Sequence, residues 1–337
     1  MITTKRGKAG EGKINYEVYY GVSEVARKLD LMDLREFARY QNEILPVIGI
    51  TPSEEFADPS LLGPGTDWQE AMFQKGSMQN HQLSFSGGRD KTNYYVSLNY
   101  FNNKGILIGS DFERFSTRLS FDTQLKPWAK VGMSLNASRS IQNVTLADAA
   151  ESTIWWGAVT SPLVPLKNPD GSWGGGNTVG GIRYSNANLV GNSQYRGNKK
   201  TGTTAFGSVF AELTLLKGLS LRNELSFSLG LDNNIAFQKA GNVGGETFRS
   251  KLIDSRSDNY YYSLTNYFNY AKWMNGHNFH ATLGHQAQMS YWQGIGGTKV
   301  DLQANILDLN TGSSDQTTWA LNGGKGHWAM ESWFARA

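Results

Sequence analysis

Apolar and polar residues alternate along much of this chain. In the stretch from Tyr94 to Tyr100, Val96 and Leu98 lie on the same side as the two tyrosines, while Ser97 and its polar neighbours lie on the other. Side chains two residues apart share one face of a β-strand. Comparable stretches recur at 115–122, 131–138, 205–215, 219–229, 262–270 and 279–283. The pattern predicts about nine antiparallel strands and the start of a tenth, forming a sheet with two unlike faces.

The connections between these stretches alternate between short and long. The short ones are Gly87–Thr92, Leu125–Lys130, Leu215–Leu219 and Trp273–Asn278. The long ones are Gly21–Asn80, Phe101–Arg114, Arg139–Gly202, Leu231–Asn259 and Gln286–Trp328. Successive connections of an up-and-down sheet lie at opposite ends, so one rim would hold every short turn and the other every long loop. Outer-membrane β-barrels show this asymmetry.

The apolar faces of these predicted strands carry no charge, whereas the opposite faces do. If the sheet is a barrel in lipid, the charged residues would face the lumen; these are Arg118, Asp122, Glu212, Arg222 and Glu224. A register slip of one residue would turn such a charge toward lipid, at a cost of roughly 2–4 kcal/mol for an arginine at the bilayer midplane. A soluble β-sandwich, with the apolar face as its core, remains the alternative.

Composition narrows the function classes. The 337 residues contain 32 basic and 29 acidic side chains, a balance that does not favour a nucleic-acid partner. There is no cysteine and no run of about 18 apolar residues, so disulfides, thiolate metal sites and a spanning helix are not expected.

The first long connection carries helix signals. Asp33 and Glu36 form a capping box, and Leu34, Phe37, Ala38, Gln41 and Leu45 would form one stripe before Pro46 ends the helix. A second capping pattern begins near Thr66. These elements suggest a structured cap over a pore mouth, although an ordered loop without ligand contact explains them equally well.

Aromatic residues in the long connections are the candidate ligand contacts. They are Trp155, Trp156, Trp173, Tyr184 and Trp292, with Trp319 in the same class. A flat ring at a pore mouth could stack on a sugar ring or a peptide group, but packing within the loops or an interfacial girdle also explains such residues.

The sequence favours no enzyme, cofactor or metal site. His280 and His285 would face opposite sides of a strand, so they could not converge on one ion. The sequence shows no Ser–His–Asp or Cys–His pattern. Because the residues of such triads are brought together by the fold, one sequence does not exclude them. The glycine run at 171–176 lacks the Lys-Ser/Thr of a phosphate loop.

Several strings, in order, resemble the SusC/RagA-like TonB-dependent outer-membrane transporters. The resemblance covers roughly residues 1–136 closely and continues in pattern to the end. It rests on MITTKRGK at 1–8, NY at 15–16, LDLM at 29–32, TDWQ at 66–69, QNHQLSFSGG at 79–88, KTNYY at 91–95, NKGI at 103–106 and GSDFERF at 109–115.

The resemblance implies a plugged barrel of about twenty-two strands that imports nutrients, usually oligosaccharides or peptides. It also implies a SusD-like surface lipoprotein over the extracellular mouth, the TonB complex acting through the plug, outer-membrane lipid around the barrel, and the cell outer membrane of a Bacteroidota-type bacterium. Residues 1–12 would be the end of the plug and 13–337 the N-terminal part of the barrel, with the energy-coupling segment absent.

The N-terminus reads MITTKRG and has no signal-peptide pattern, so we expect a truncated piece of a longer protein that would not transport alone. Two other interpretations stay open. One is a soluble or surface-exposed all-β module that binds carbohydrate. The other is a small complete barrel of eight or ten strands.

Overall fold

The computed structural model describes residues 10–145, 153–175, 178–179, 182–183, 188–274 and 276–337. Ten long strands form one sheet in which every neighbouring pair is antiparallel. They are β1 (Gly10–Ser23), β2 (Gly76–Arg89), β3 (Thr92–Lys104), β4 (Asp111–Lys126), β5 (Ala129–Asn143), β8 (Arg196–Leu216), β9 (Leu219–Gln238), β12 (Lys251–Met274), β13 (His277–Val300) and β14 (Ala320–Arg336). The remaining strands form two small hairpins, β6 (Thr178–Val179) with β7 (Ile182–Arg183) and β10 (Gly241–Val243) with β11 (Glu246–Phe248).

The long strands are arranged in chain order, with β1 and β14 at the two edges of the sheet. This confirms the predicted fold, an incomplete up-and-down antiparallel barrel wall. The predicted boundary at residues 12 and 13 lies within β1, and residues 1–9 lie outside the described residues. The plug assignment therefore stays a prediction.

The short connections lie at one rim of the sheet, and each leaves two residues between paired strands. The flanking pairs are Arg89 with Thr92, Lys126 with Ala129, Leu216 with Leu219, and Met274 with His277. Positive φ angles at Asp90 (55°) and Gly218 (85°) fit turns whose twist matches that of a hairpin.

Several strands extend further toward the other rim than the alternation predicts. The connection between β3 and β4 is only residues 105–110, and β14 is a 17-residue strand rather than the start of one. The parts of β9, β13 and β14 toward the long connections contain several glycine or asparagine residues, and that part of β12 is mostly polar. They show no apolar–polar alternation, so the pattern could not reveal them.

On β12 the apolar face runs from Tyr260 to Tyr270, with Asp258 and Lys272 at its ends. Ten residues of antiparallel strand span about 34 Å, or about 26 Å when tilted by roughly 40°, which matches the apolar band of an outer-membrane barrel.

The predicted strands suggested an apolar face without ionisable groups, but the structure places two such groups on it. On β13 and β14, His285 and Glu331 lie on it, and His285 Nε2 is 2.8 Å from Glu331 Oε1. Both lie near the middle of the band, because His285 pairs with Asn266 and Ala287 pairs with Glu331. His285 and Glu331 both fall on predicted strands, but their contact depends on the register of β14 on β13, which the alternation does not give.

Helices occur in the long connections. They are α1 (Leu34–Val47), α2 (Trp68–Met72), α3 (Thr153–Val159) and α4 (Leu189–Tyr195). The capping box of Asp33 and Glu36 is confirmed. α1 continues one residue past Pro46 and ends at Val47, close to the predicted end. No helix in the described part of the chain is long and apolar enough to cross a membrane.

The buried apolar residues lie mostly outside the sheet. One cluster joins Ala38 to Phe56, and another joins Trp68, Met72, Val164 and Leu189. Most sheet residues are half-buried or exposed, since no second layer formed by the described residues covers either face. The first and third long connections therefore supply much of the packed core.

Candidate functional site: the polar face and the layer of long connections

The five charged residues predicted to line the lumen lie on one face of the sheet. Arg118 pairs with Asn136, Asp122 with Gly132, and Glu212 with Arg222, while Glu224 pairs with Phe210. Directly paired residues of antiparallel strands share a face. We call this surface the polar face, and the opposite one the apolar face.

Arg222 is the centre of an ionic cluster on the polar face near the short turns. Its Nη2 donates to Glu224 Oε2 at 2.8 Å, and its Nη1 donates to Glu212 Oε2 at 3.3 Å. The guanidinium also lies 3.8 Å from the ring centroid of Phe210. The fork of an arginine suits two carboxylates at once, so the cluster holds two neighbouring strands in register.

Asp122 and Arg118 have their own partners on this face. Lys130 Nζ lies 3.7 Å from Asp122 Oδ2, and Asn93 donates to the same oxygen at 3.3 Å. The guanidinium carbon of Arg118 lies 5.7 Å from the ring centroid of Tyr95. These contacts are typical of a solvated, alternately charged surface and provide no nucleophile with a neighbouring base.

The long connections pack on one another at the opposite rim. Trp68 Nε1 donates to the carbonyl oxygen of Ser161 at 3.2 Å, and the Thr66 amide donates to the carbonyl oxygen of Pro162 at 2.9 Å. Gly65 (φ 75°) lies at this junction, where a Cβ would meet the Pro162 oxygen at 2.5 Å. The first and third connections thus form one structured layer, as the sequence suggested for a cap.

The fourth and fifth long connections are joined in the same way. Ser250 Oγ accepts from the Leu302 amide at 2.6 Å, and Arg249 Nε donates to Asp301 Oδ1 at 3.0 Å. The hydrogen bond from Arg249 lowers the pKa of the Asp301 carboxyl and raises the pKa of the guanidinium.

The predicted loop aromatics have different surroundings. Trp156 packs against the Trp68 cluster, and Lys167 Nζ lies 3.0 Å from the ring centroid of Trp173. These two side chains therefore contribute to packing. Trp155 is 58% exposed on α3 and stays a candidate contact, while Tyr184 lies outside the described residues.

Trp292 is not in a loop, and its predicted placement was wrong. It lies in β13, opposite Asn259 on β12 and Gly326 on β14, because β13 extends to Val300. It faces the polar side beside Tyr261 and Trp328, whose ring centroids are 6.2 Å apart. Sequence reasoning missed this grouping, since it needed the register of three strands whose upper parts lack alternation.

Within the described ranges, no group of three or more His, Cys, Asp or Glu side chains is placed to hold a metal ion. His285 contacts Glu331 and lies 4.7 Å from Trp333, measured between ring centroids. The expectation of no metal or cofactor stays a prediction.

The curated relatives are named TonB-dependent receptors. TonB-dependent receptor P3 of Formosa agariphila is 26% identical over 301 residues, and the match covers 86% of this chain. TonB-dependent receptor SusC of Bacteroides thetaiotaomicron is 30% identical over 124 residues, covering 36% of this chain. The chain spans 28% of the length of the first relative and 11% of the second. No family model matches.

Solved structures share the fold. The RagAB peptide importer in its "open-open" state aligns over 98% of this chain and 40% of its own, with a TM-score of 0.81 and 20% identity. The "closed-closed" state gives a TM-score of 0.79 at the same identity. Sequence similarity along most of the chain and the shared fold together support its recognition as part of a SusC/RagA-like TonB-dependent transporter.

Proposed function

We propose that this chain forms part of the wall of an outer-membrane importer for oligosaccharides or peptides. The observation that carries the proposal is the sheet itself. It has one apolar face of bilayer height, one polar face, two-residue turns at one rim and packed long connections at the other. The names of the curated receptors and of the RagAB peptide importer support import as the activity.

In this proposal the polar face lines the lumen and the apolar face contacts outer-membrane lipid. Arg118, Asp122, Glu212, Arg222 and Glu224 would keep the interior hydrated and contact the plug. None would perform covalent chemistry, because the described contacts are ion pairs and ring contacts without an activated nucleophile. We propose a transport role without enzymatic activity.

The layer of long connections is the surface we assign to the extracellular side. A SusD-like lipoprotein would close over it, and the TonB complex would act through the plug. The buried clusters of this layer support a preformed docking surface, since a rigid surface loses less entropy on binding. The location would be the outer membrane of a Bacteroidota-type cell.

The test uses the full-length protein in its own cells. Membrane fractionation should recover it from the outer membrane only with detergent, and affinity purification should recover a SusD-like lipoprotein. Deleting the gene should abolish growth on at least one oligosaccharide or peptide source, and deleting TonB should have the same effect. Recovery in the detergent-free soluble fraction would contradict the proposal and favour the carbohydrate-binding module, which the receptor relatives do not favour.

A further inference from the structure

Three aromatic side chains lie close in register on the polar face toward the long connections, and the ring centroids of two of them, Tyr261 and Trp328, are 6.2 Å apart. Tyr261 on β12 and Trp328 on β14 both pair with Ser290 of β13, and Trp292 lies two residues further along β13. Both tryptophans are 47% exposed. We call Tyr261, Trp292 and Trp328 the aromatic platform. It is an aromatic surface among small polar neighbours such as Ser263 and Ser290.

The indole of Trp292 lies against the backbone of β14. A Cβ on Gly326 would meet its Nε1 at 2.7 Å and Cε2 at 2.9 Å, and a Cβ on Gly324 would meet its Cη2 and Cζ3 at 3.4 Å. The ring therefore spans both glycines, which leave room for it by lacking side chains. One side of the indole rests on the strand, and the other side is open.

The polar-face positions around Trp292 are uncharged. On the strands beside β13 they include Asn259, Ser257 and Gly326, and Ser290 lies on β13 itself. Hydroxyl and amide groups both donate and accept hydrogen bonds. A ligand with charged groups would find no ionic partner at these positions, whereas a polyhydroxylated one would find hydroxyl and amide partners.

These observations point to a neutral sugar. A pyranose ring has an apolar C–H face that suits an indole, and hydroxyl edges that suit serine and asparagine. A peptide would bring a charged terminus or side chain in most sequences, and charge-assisted partners lie outside these positions.

We propose that the aromatic platform binds a sugar ring of a neutral oligosaccharide, with Trp292 as the principal stacking surface. The inference rests on the proposed function, because it requires the polar face to line the lumen. It deepens that function by naming the substrate class and the residues of one binding position.

The experiment uses the full-length protein purified in detergent and two probes of similar size. One is a pool of neutral oligosaccharides of four to eight sugars from plant and algal polysaccharides, and the other is a tryptic digest of casein. Native mass spectrometry identifies what binds, and titration with the bound component gives its Kd. We expect sugars to bind, and Trp292→Ala and Trp328→Ala each to raise the Kd by about threefold to tenfold.

Two further variants separate binding from folding. Trp292→Tyr should restore part of the affinity, since it restores a ring. Trp273→Ala removes another tryptophan of the sheet, at the short-turn end of β12 and 69% exposed, and should leave the Kd unchanged. Gly326→Ala should weaken binding through Trp292 alone, because the new Cβ displaces the indole.

Three results would overturn the inference. They are binding of casein peptides in place of sugars, absence of sugar binding, and equal sugar affinity in wild type and Trp292→Ala. TonB-dependent uptake that continues alongside any of these would leave the import proposal intact. Loss of outer-membrane localisation would instead overturn the import proposal.

Discussion

At the scale of single residues, neighbouring tryptophans of the long connections have separable roles. Trp155 and Trp156 are adjacent on α3, yet Trp155 is 58% exposed and Trp156 packs on the Trp68 cluster. Adjacent helical residues point in different directions, so one side chain can pack while the next faces solvent. The sequence treated the two as equivalent candidates, and the packing distinguishes them.

Replacing each tryptophan by alanine tests this difference. Trp156→Ala should destabilise the layer of long connections by about 2–4 kcal/mol, because it removes part of an apolar cluster, and limited proteolysis of the folded full-length protein would report it. Trp155→Ala should change proteolysis less than Trp156→Ala does, and it should alter ligand uptake if the side chain contacts ligand. Unchanged affinity and uptake would remove Trp155 from the candidate contacts.

The ion pair of Arg249 and Asp301 gives a pH prediction. The pKa of Asp301 is lowered in the fold, so the pair contributes stability above the ordinary carboxyl pKa of about 3.9 and loses it as pH falls through the lowered value. Hydrogen exchange of residues 301–319, corrected for intrinsic rates, should be faster in Arg249→Gln than in wild type at pH 7.

The two proteins should exchange alike once the pH has fallen below the lowered pKa of Asp301, because the carboxyl is then neutral in both. Arg256→Gln, which removes an ion pair within β12, is the matched control and should leave the 301–319 segment unchanged. A difference between Arg249→Gln and wild type that persists at low pH would show that the arginine acts by packing rather than charge.

At the scale of elements, the rim of long connections is held by contacts between segments far apart in the sequence. The Trp68 side chain and the Ser161 carbonyl are 93 residues apart, and the Ser250–Leu302 contact joins residues 52 apart. The capping box of α1 could be read from four consecutive letters, whereas these contacts could not, because no local pattern encodes which loop meets which.

Gly65 tests the junction of the first and third connections. Gly65→Ala should destabilise that junction by about 1–3 kcal/mol, because a Cβ would clash with the Pro162 carbonyl oxygen and the backbone has φ of 75°. Protease susceptibility of the folded protein would measure it. Gly63→Ala is the control, since nothing lies within 4 Å of its added Cβ. Equal susceptibility of the two variants would contradict the described junction.

The pair of His285 and Glu331 tests which face meets lipid. Replacing both by leucine in the full-length protein should stabilise it against denaturant in lipid by about 1–2 kcal/mol, because polar groups at mid-bilayer are unfavourable. The control Glu212→Leu with Arg222→Leu on the polar face should destabilise the barrel. Stabilisation by the control and not by the first pair would reverse the assignment of the two faces.

At the scale of the whole molecule, the sequence predicted the order of the strands better than it predicted their lengths. Alternation gave the strand order, the sharing of faces by Arg118, Asp122 and Arg222, and the rims of short and long connections. It failed where strands continue beyond the apolar band, as at Trp292, because residues there meet water on both faces and no periodicity is required.

This chain alone should not form a stable barrel. β1 and β14 have open edges, and unpaired backbone groups in lipid cost several kcal/mol each. Expressed by itself in water, it should aggregate and pass into the pellet on centrifugation, with urea-unfolded chain as the loading control. A soluble monomer with one cooperative unfolding transition would contradict both this expectation and the lipid-facing role of the apolar surface.

The tight reversals at the short-turn rim have a consequence for assembly. Since only two residues separate Arg89 from Thr92 and Leu216 from Leu219, each hairpin can find its own alignment without information from distant strands. We therefore expect hairpins rather than single strands to be the units from which the wall is built, since a hairpin forms within microseconds.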